Sequence, residues 1–184
     1  MIILYIIFGI LIKLFAKISP IPFYKKSIEY QAIAFSSSSS KIALPVTIDV
    51  CEHKLGASKI ACRFILPLGA SINMCGLAIH LSLTTIFFAQ MFGVDLSIQD
   101  YIIIIITSTF GSIGGAGVPG SALVMLPLVM SSINLPIEQI AIVAGVDRFL
   151  DMIRTTINIT GDAAITIILD ARMKTLNLVK YYKN

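Results

Sequence analysis

The chain has 184 residues, of which 57% are hydrophobic and only 13% charged, and its mean hydropathy is +0.91; soluble domains carry about 25% charged residues. That excludes a disordered tail and points to a membrane protein with a handful of crossings at about 20 apolar residues each. The net charge of +4 comes from basic residues in blocks, with none from Phe64 to Val146 and no basic stripe interleaved with aromatics, which argues against a nucleic-acid partner and for charge-set membrane orientation.

Residues 1–18 are expected to form a transmembrane helix. Its apolar run from Met1 to Phe15 has its basic residues at the far end, Lys13 within the last turn and Lys17 after it, rather than before it, and no A-x-A site follows, which disfavours a cleaved signal sequence. The basic flank places the start of the chain outside and Lys17 to Lys26 inside. After the break at Ser19-Pro20-Ile21-Pro22, residues 24–55 read as a first re-entrant hairpin. An amphipathic arm, Tyr24 to Phe35, leads to the serine run Ser36 to Ser40, and Leu44 to Val50 leads out. Neither arm is long enough to span, and basic flanks put both ends on one side. The alternative is a Ser-rich flexible linker.

Residues 58–92 are expected to form a broken transmembrane helix, interrupted by Pro67, Gly69, Asn73 and Gly76. Such residues free backbone carbonyls at membrane depth, tolerated where protein or an ion takes them up; a packing kink is the alternative. The stretch from Gly93 to Asp100 suits an outside loop. Residues 98–132 then read as a second re-entrant hairpin, with two apolar half-spans around the glycine-rich Gly111 to Gly120. Residues 138–170 form a transmembrane helix with a polar face, and 171–184 a basic cytoplasmic tail. Hairpin plus helix thus occurs twice, entering from opposite faces. That inverted repeat is the pattern that points to a midplane substrate site in secondary transporters.

The last helix carries Asp147, Asp151, Arg154, Asn158 and Asp162 at separations of 4, 3, 4 and 4 residues, an arc of roughly 80° on a helix. An ionised group at the bilayer centre costs at least about 2.5–3.5 kcal/mol, so the row must face a partner, water or bound ions. Three carboxylates against Arg148 and Arg154 leave acidic capacity for a cation, and Arg154 offers a planar fork for a carboxylate. A structural Asp–Arg network between helices is the alternative. Cys51, Cys62 and Cys75 are odd in number without C-x-x-C spacing, and His53 and His80 have no second ligand nearby in sequence, so neither a disulfide framework nor a metal site is expected from them. Gly115 to Gly120 also matches G-x-G-x-x-G after a run that passes for a strand, and Asn158-Ile159-Thr160 matches the glycosylation triplet. Both are read as coincidental within membrane segments.

Four ordered motifs carry a resemblance: the serine tip followed by Leu44-Pro45-Val46-Thr47, then Leu66 to Met74 (LPLGASINM), then Ser112 to Gly120 (SIGGAGVPG), then Asp151 to Asp162 (DMIRTTINITGD). Together they resemble the dicarboxylate/amino acid:cation symporters, which include the sodium- or proton-coupled glutamate and aspartate transporters. The resemblance implies an all-α integral membrane fold of transmembrane helices plus two re-entrant helical hairpins in an inverted repeat, the C-terminal transport core of that family, in a multi-pass protein of the cell (inner or plasma) membrane.

Residue by residue, it implies substrate contacts from Ser39 and Ser40 at the first tip, Val118 and Gly120 at the second, and Asp151, Arg154, Thr155 and Asn158 on the last helix. Asp151 would receive the substrate amino group and Arg154 a side-chain carboxylate. One sodium site is implied at Gly69, Asn73, Asn158 and Asp162, and a second at Ser71, Met74, Ser112, Ile113 and Gly115. Oxygen ligands suit a hard cation. Cys75 and Leu77 stand where the family has Asp and Thr, which removes the carboxylate of a third sodium site. The expected activity is symport of glutamate, aspartate or a dicarboxylate with sodium or protons, with no enzymatic step, no resident cofactor and no nucleic acid. Family members are homotrimers whose trimerising helices lie N-terminal to this region. The competing expectation is a truncated or split-gene remnant that needs a separately encoded N-terminal half.

Overall fold

In the computed structural model, residues 1–115 and 117–183 are described, and among them every regular element is helical. Helix α1, Ile2–Leu11, runs on through a wider π turn, Ile12–Ala16, and stops at Lys17, whose left-handed φ of 57° ends the helix. Helix α2, Ile21–Ser37, has Pro22 in its first turn, where a missing N–H leaves no bond unmade. Ser38 ends it in the left-handed region (φ 53°), and the extended Ser39 caps α3, Ser40–Asp49, by accepting from the Ile42 N–H. The serine run is therefore a two-residue turn between helices that pack on each other, not a flexible linker. A π turn, Val50–Lys54, closes α3.

Helix α4, Lys59–Ile72, is capped by the Ser58 side chain, and α5 follows over Cys75–Met91. Between them Asn73 (ψ 89°) and Met74 (φ −113°, ψ 43°) leave the helical region; of the four interrupting residues only Asn73 lies in the break, while Pro67 and Gly69 are inside α4 and Gly76 inside α5. Helix α6, Ile98–Gly114, starts in a reciprocal capping box between Ser97 and Asp100 and packs against α7, Ser121–Ser131. Because Tyr101 to Phe110 is helical, the strand that a dinucleotide-binding reading needs does not exist. After a 3₁₀ turn, Glu138–Ile140, the 32-residue α8, Ala141–Arg172, runs through the middle of the fold, and α9, Leu178–Tyr182, closes the chain.

Two apolar clusters flank α8. Phe23, Tyr30 and Leu66 pack with Ile159 and Ile167 from the C-terminal half of α8. Leu81, Phe88, Ile104, Leu126 and Met130 pack beside Val143 near its N-terminal end. Between helices surrounded by hydrocarbon these clusters hold by close packing rather than by transfer out of water. The outer surface is also apolar: Ile2, Ile60, Phe64, Ile98, Phe110, Val124 and Phe149 are all exposed, the pattern of a surface facing lipid rather than water. Two helical stretches, Lys59–Met91 and Glu138–Arg172, are long and apolar enough to cross a membrane, whereas Ile2–Ala16 is shorter than such a span.

At the basic end, the C-terminal residues are pinned down rather than trailing. Buried Asp170 accepts from the Ser58 N–H (2.8 Å), the Ser58 hydroxyl (2.6 Å) and the Thr175 hydroxyl (2.5 Å). Lys26 Nζ donates to the carbonyls of Lys54 (2.9 Å), Lys180 (2.8 Å) and Tyr181 (2.8 Å), tying α9 to α2.

Candidate functional site

Helical periodicity puts Asp147, Asp151, Arg154, Asn158 and Asp162 on the one face of α8 that both clusters leave to polar groups, each at most 5% exposed. Arg148 is exposed and takes no part, correcting the expectation that two arginines would balance the acids. Arg154 Nη1 donates to Asp147 Oδ1 at 2.9 Å, and Nη2 lies 3.0 Å from Asp151 Oδ1. The second approach is off the hydrogen-bonding direction and is an ion pair only. One buried guanidinium thus meets two carboxylates on its own helix, so the network is within α8 rather than between helices. Such pairing is what makes buried charge tolerable, since an unpaired ion costs several kcal/mol.

The tips of the two helical pairs meet over this row. Ser39 Oγ donates to the Gly117 carbonyl at 3.2 Å, and the Gly120 N–H donates to Asp151 Oδ2 at 3.0 Å. Gly117 has a φ of +64°, and a Cβ there would lie 2.8 Å from the Ala70 carbonyl oxygen, so the turn seats against the end of α4 only as glycine. Ala116 lies outside the described residues. Ser40, Met74, Val118, Asp151, Arg154, Thr155 and Asn158 line the cavity between tips and helix, where only ≈ 10 Å³ is open to the centre of a water-sized sphere. That is room for about one water. A cavity of this size excludes anything as large as an amino acid. Asn158, Ile159 and Thr160 are all buried in the same region, which removes the glycosylation triplet from any surface role.

The helix break supplies a second polar centre. Asn73 Nδ2 donates to Asp162 Oδ1 at 2.7 Å, while Asp162 Oδ2 is buried with no donor. Gly69 sits directly against this carboxylate: a Cβ there would lie 2.5 Å from Asp162 Oδ1. One turn away, Asn158 Oδ1 accepts from the Gly76 N–H at 2.7 Å and its Nδ2 lies 3.4 Å from Met74 Sδ. Cys75 Sγ is 3.8 Å from the same Asn158 oxygen. A broken backbone, amide oxygens and one carboxylate oxygen without a donor make a receptor suited to a hard cation. Among the described residues no group of three or more His, Cys, Asp or Glu side chains gathers, so such a cation would be held mainly by backbone and amide oxygens.

Of the remaining predicted residues, Ser112 is buried with its hydroxyl bonded to the Thr109 carbonyl (2.8 Å), and Ser71 is exposed with its hydroxyl bonded to the Pro67 carbonyl (3.2 Å). Ile113 is exposed, Gly115 abuts Leu77, and the Met74 methyl lies by the Gly117 turn. Sequence reasoning passed over one neighbour of the row: His80, 8% exposed on α5, has Nε2 3.6 Å from Asp147 Oδ1.

A model of the sodium:dicarboxylate symporter family matches residues 1–172. The chain is 43% identical over 141 residues to excitatory amino acid transporter 3 of Mus musculus, covering 77% of this chain and 27% of that protein. It is 44% identical over 130 residues to excitatory amino acid transporter 1 of Rattus norvegicus, 71% of this chain and 24% of that one. With the putative sodium-dependent excitatory amino acid transporter glt-4 of Caenorhabditis elegans it shares 34% identity over 166 residues, 90% of this chain and 33% of that one. The matched region spans 24–33% of the length of these relatives.

Proposed function

The chain belongs to the sodium:dicarboxylate symporter family, and from that premise we propose that it forms the substrate- and cation-binding core of a symporter for acidic amino acids, glutamate or aspartate, or for dicarboxylates. The observation that carries this reading is the Asp151–Arg154 pair on a buried helix face directly under two converging tips. A carboxylate and a guanidinium one turn apart match the ammonium and the distal carboxylate of an acidic amino acid, each in a charge-assisted bond. Asp151 exchanges the Gly120 N–H for the substrate ammonium, which couples occupancy to the second tip. The freed N–H group of Gly120 and the backbone at Val118, with Ser39 and Ser40 of the first tip, hold the main-chain carboxylate, and Thr155 and Asn158 fix the remaining edge.

Sodium is the proposed coupling ion at Gly69, Asn73, Asn158 and Asp162, where the donorless Asp162 oxygen supplies the charge. A second ion is proposed among carbonyls at Ser71, Met74, Ser112, Ile113 and Gly115, a set that the second tip completes in its closed position. In the proposed topology, residues 24–55 and 98–132 are re-entrant hairpins from opposite faces, residues 1–18, 58–92 and 138–170 cross the membrane, and 171–184 lie on the cytoplasmic side. Movement of the loaded core across the bilayer needs a scaffold to move against. The relatives are three to four times as long as the matched region, and the proposed transporter includes such further helices on the same or a separate polypeptide.

Isothermal titration of the purified chain in lipid nanodiscs with L-aspartate tests the site. The wild-type chain is expected to bind. Asp151→Asn should lose aspartate and neutral amino acids alike, whereas Arg154→Ala should lose aspartate selectively by 100-fold or more (about 3 kcal/mol, the scale for removing one member of a buried pair). Unchanged affinity in folded forms of both variants would refute the assignment.

A further inference from the structure

His80 is the one buried base beside the Asp–Arg row that the proposed function leaves without a task. Its Nε2 has no hydrogen-bond partner, although it lies 3.6 Å from Asp147 Oδ1, the oxygen that receives Arg154 Nη1 at 2.9 Å. A buried polar nitrogen without a partner costs free energy and requires an explanation. His80 Nε2 and Arg154 Nη1 thus approach one carboxylate oxygen, and only Arg154 is within bonding distance. Helices α6 and α7, packed on α5, bring no competing acid or base to that level: α7 contains none, and those of α6, Asp100 and Tyr101, lie in its first turn.

We infer that His80 is a positioning residue which receives Asp147 when substrate takes Arg154. The inference rests on the proposed role of Arg154 as the fork for a distal carboxylate. Arg154 Nη2 has no hydrogen-bond partner, and a distal carboxylate that takes the Nη1–Nη2 edge of the guanidinium removes the donor of Asp147, leaving an uncompensated buried anion, the costly state for such a group. A movement of well under 1 Å brings its Oδ1 within reach of the His80 Nε2–H, which restores a donor. Asp147 thus alternates between Arg154 in the empty site and His80 in the loaded one, and His80 favours ligands that bear a distal carboxylate over those that leave Arg154 on Asp147.

The chain has two histidines, and His53 is exposed on the π turn after α3, so its signal serves as the reference in nitrogen–proton NMR of histidine-labelled chain in nanodiscs. Arg154→Gln, without any ligand, is expected to shift the His80 Nε2–H to the low-field position of a carboxylate-bonded imidazole, and L-aspartate is expected to do the same to the wild-type chain. Arg154→Lys, shorter and without the fork, stands in if Arg154→Gln does not fold. By calorimetry, His80→Phe should weaken L-aspartate about tenfold, and His80→Gln, whose amide N–H reaches the same place, should recover most of it. A His80 signal that stays put in the Arg154 variants, or wild-type L-aspartate affinity in His80→Phe, would overturn the inference. Absence of L-aspartate binding by the wild-type chain would instead reject the proposed function, and the ligand-free Arg154 variants would still decide the role of His80.

Discussion

Gly69→Ala is the substitution that most directly separates the cation centre from the rest of the site. The added methyl would lie 2.5 Å from Asp162 Oδ1, 2.7 Å from its Cγ and 3.1 Å from its Cβ, all on a side chain that is 1% exposed. Ordinary contact begins at 3.4 Å, so the carboxylate must retreat by about 0.9 Å. The bond from Asn73 Nδ2, now 2.7 Å long, then passes the limit of a hydrogen bond. A hydrogen bond to a charged group contributes about 1.5–3 kcal/mol, equivalent to roughly 10–100-fold in affinity for a cation held by that carboxylate. The assay is thermal unfolding of the purified chain across a sodium series, because an ion that binds only the folded state raises the midpoint with concentration. Gly69→Ala should need roughly 10–100 times more sodium for the same rise, by the same estimate. A folded Gly69→Ala chain with the wild-type sodium dependence would refute the placement of the cation beside Asp162.

Three further substitutions test other parts of the account. Gly145→Ala adds a methyl that meets nothing within 4 Å in the interior of α8, so it should stabilise by about 0.5–1 kcal/mol in thermal or denaturant unfolding and serve as the control for Gly69→Ala; a fall in stability would contradict this. Gly117→Ala places a Cβ 2.8 Å from the Ala70 carbonyl at a φ of +64°; at a cost of about 2 kcal/mol for that backbone state, L-aspartate binding should weaken about 30-fold by calorimetry. Asp170→Ala removes the acceptor of three hydrogen bonds that join α8 to Ser58 and Thr175, and should lower stability by about 2–4 kcal/mol and expose the chain beyond Arg172 to limited proteolysis; an intact protease pattern would show that the clamp does not hold the C-terminal residues.

How much of this was legible in the sequence varied with the range of the interaction. A turn at the serine run was legible because the run separates two short helical arms, whereas the cap at Ser39 and the left-handed Ser38 are seen only in the structure. The break at Asn73 and Met74 was legible from Pro67, Gly69 and Asn73 interrupting an apolar run. The row on α8 followed from helical periodicity, whereas counting Arg148 against the acids ignored that it falls outside that arc, and the structure turns it outward. What did not show was anything set by the register between helices. His80 sits 67 residues from Asp147 in sequence, and only the packing of α5 on α8 brings them to 3.6 Å. The three carbonyls gathered by Lys26 come from two distant segments in the same way, so a basic tail was expected where the structure has a docked helix, α9.

The central claim is that the tips and the α8 row form one acidic amino-acid site whose occupancy is linked to a cation. Its most direct test is calorimetric titration of the nanodisc-embedded chain with L-aspartate in sodium chloride and, at equal ionic strength and pH, in choline chloride. The account predicts binding in sodium that weakens at least tenfold in choline, and a sodium affinity that L-aspartate raises by the same factor, as reciprocal linkage requires. Aspartate affinity identical in the two salts, at every pH tried, would contradict it.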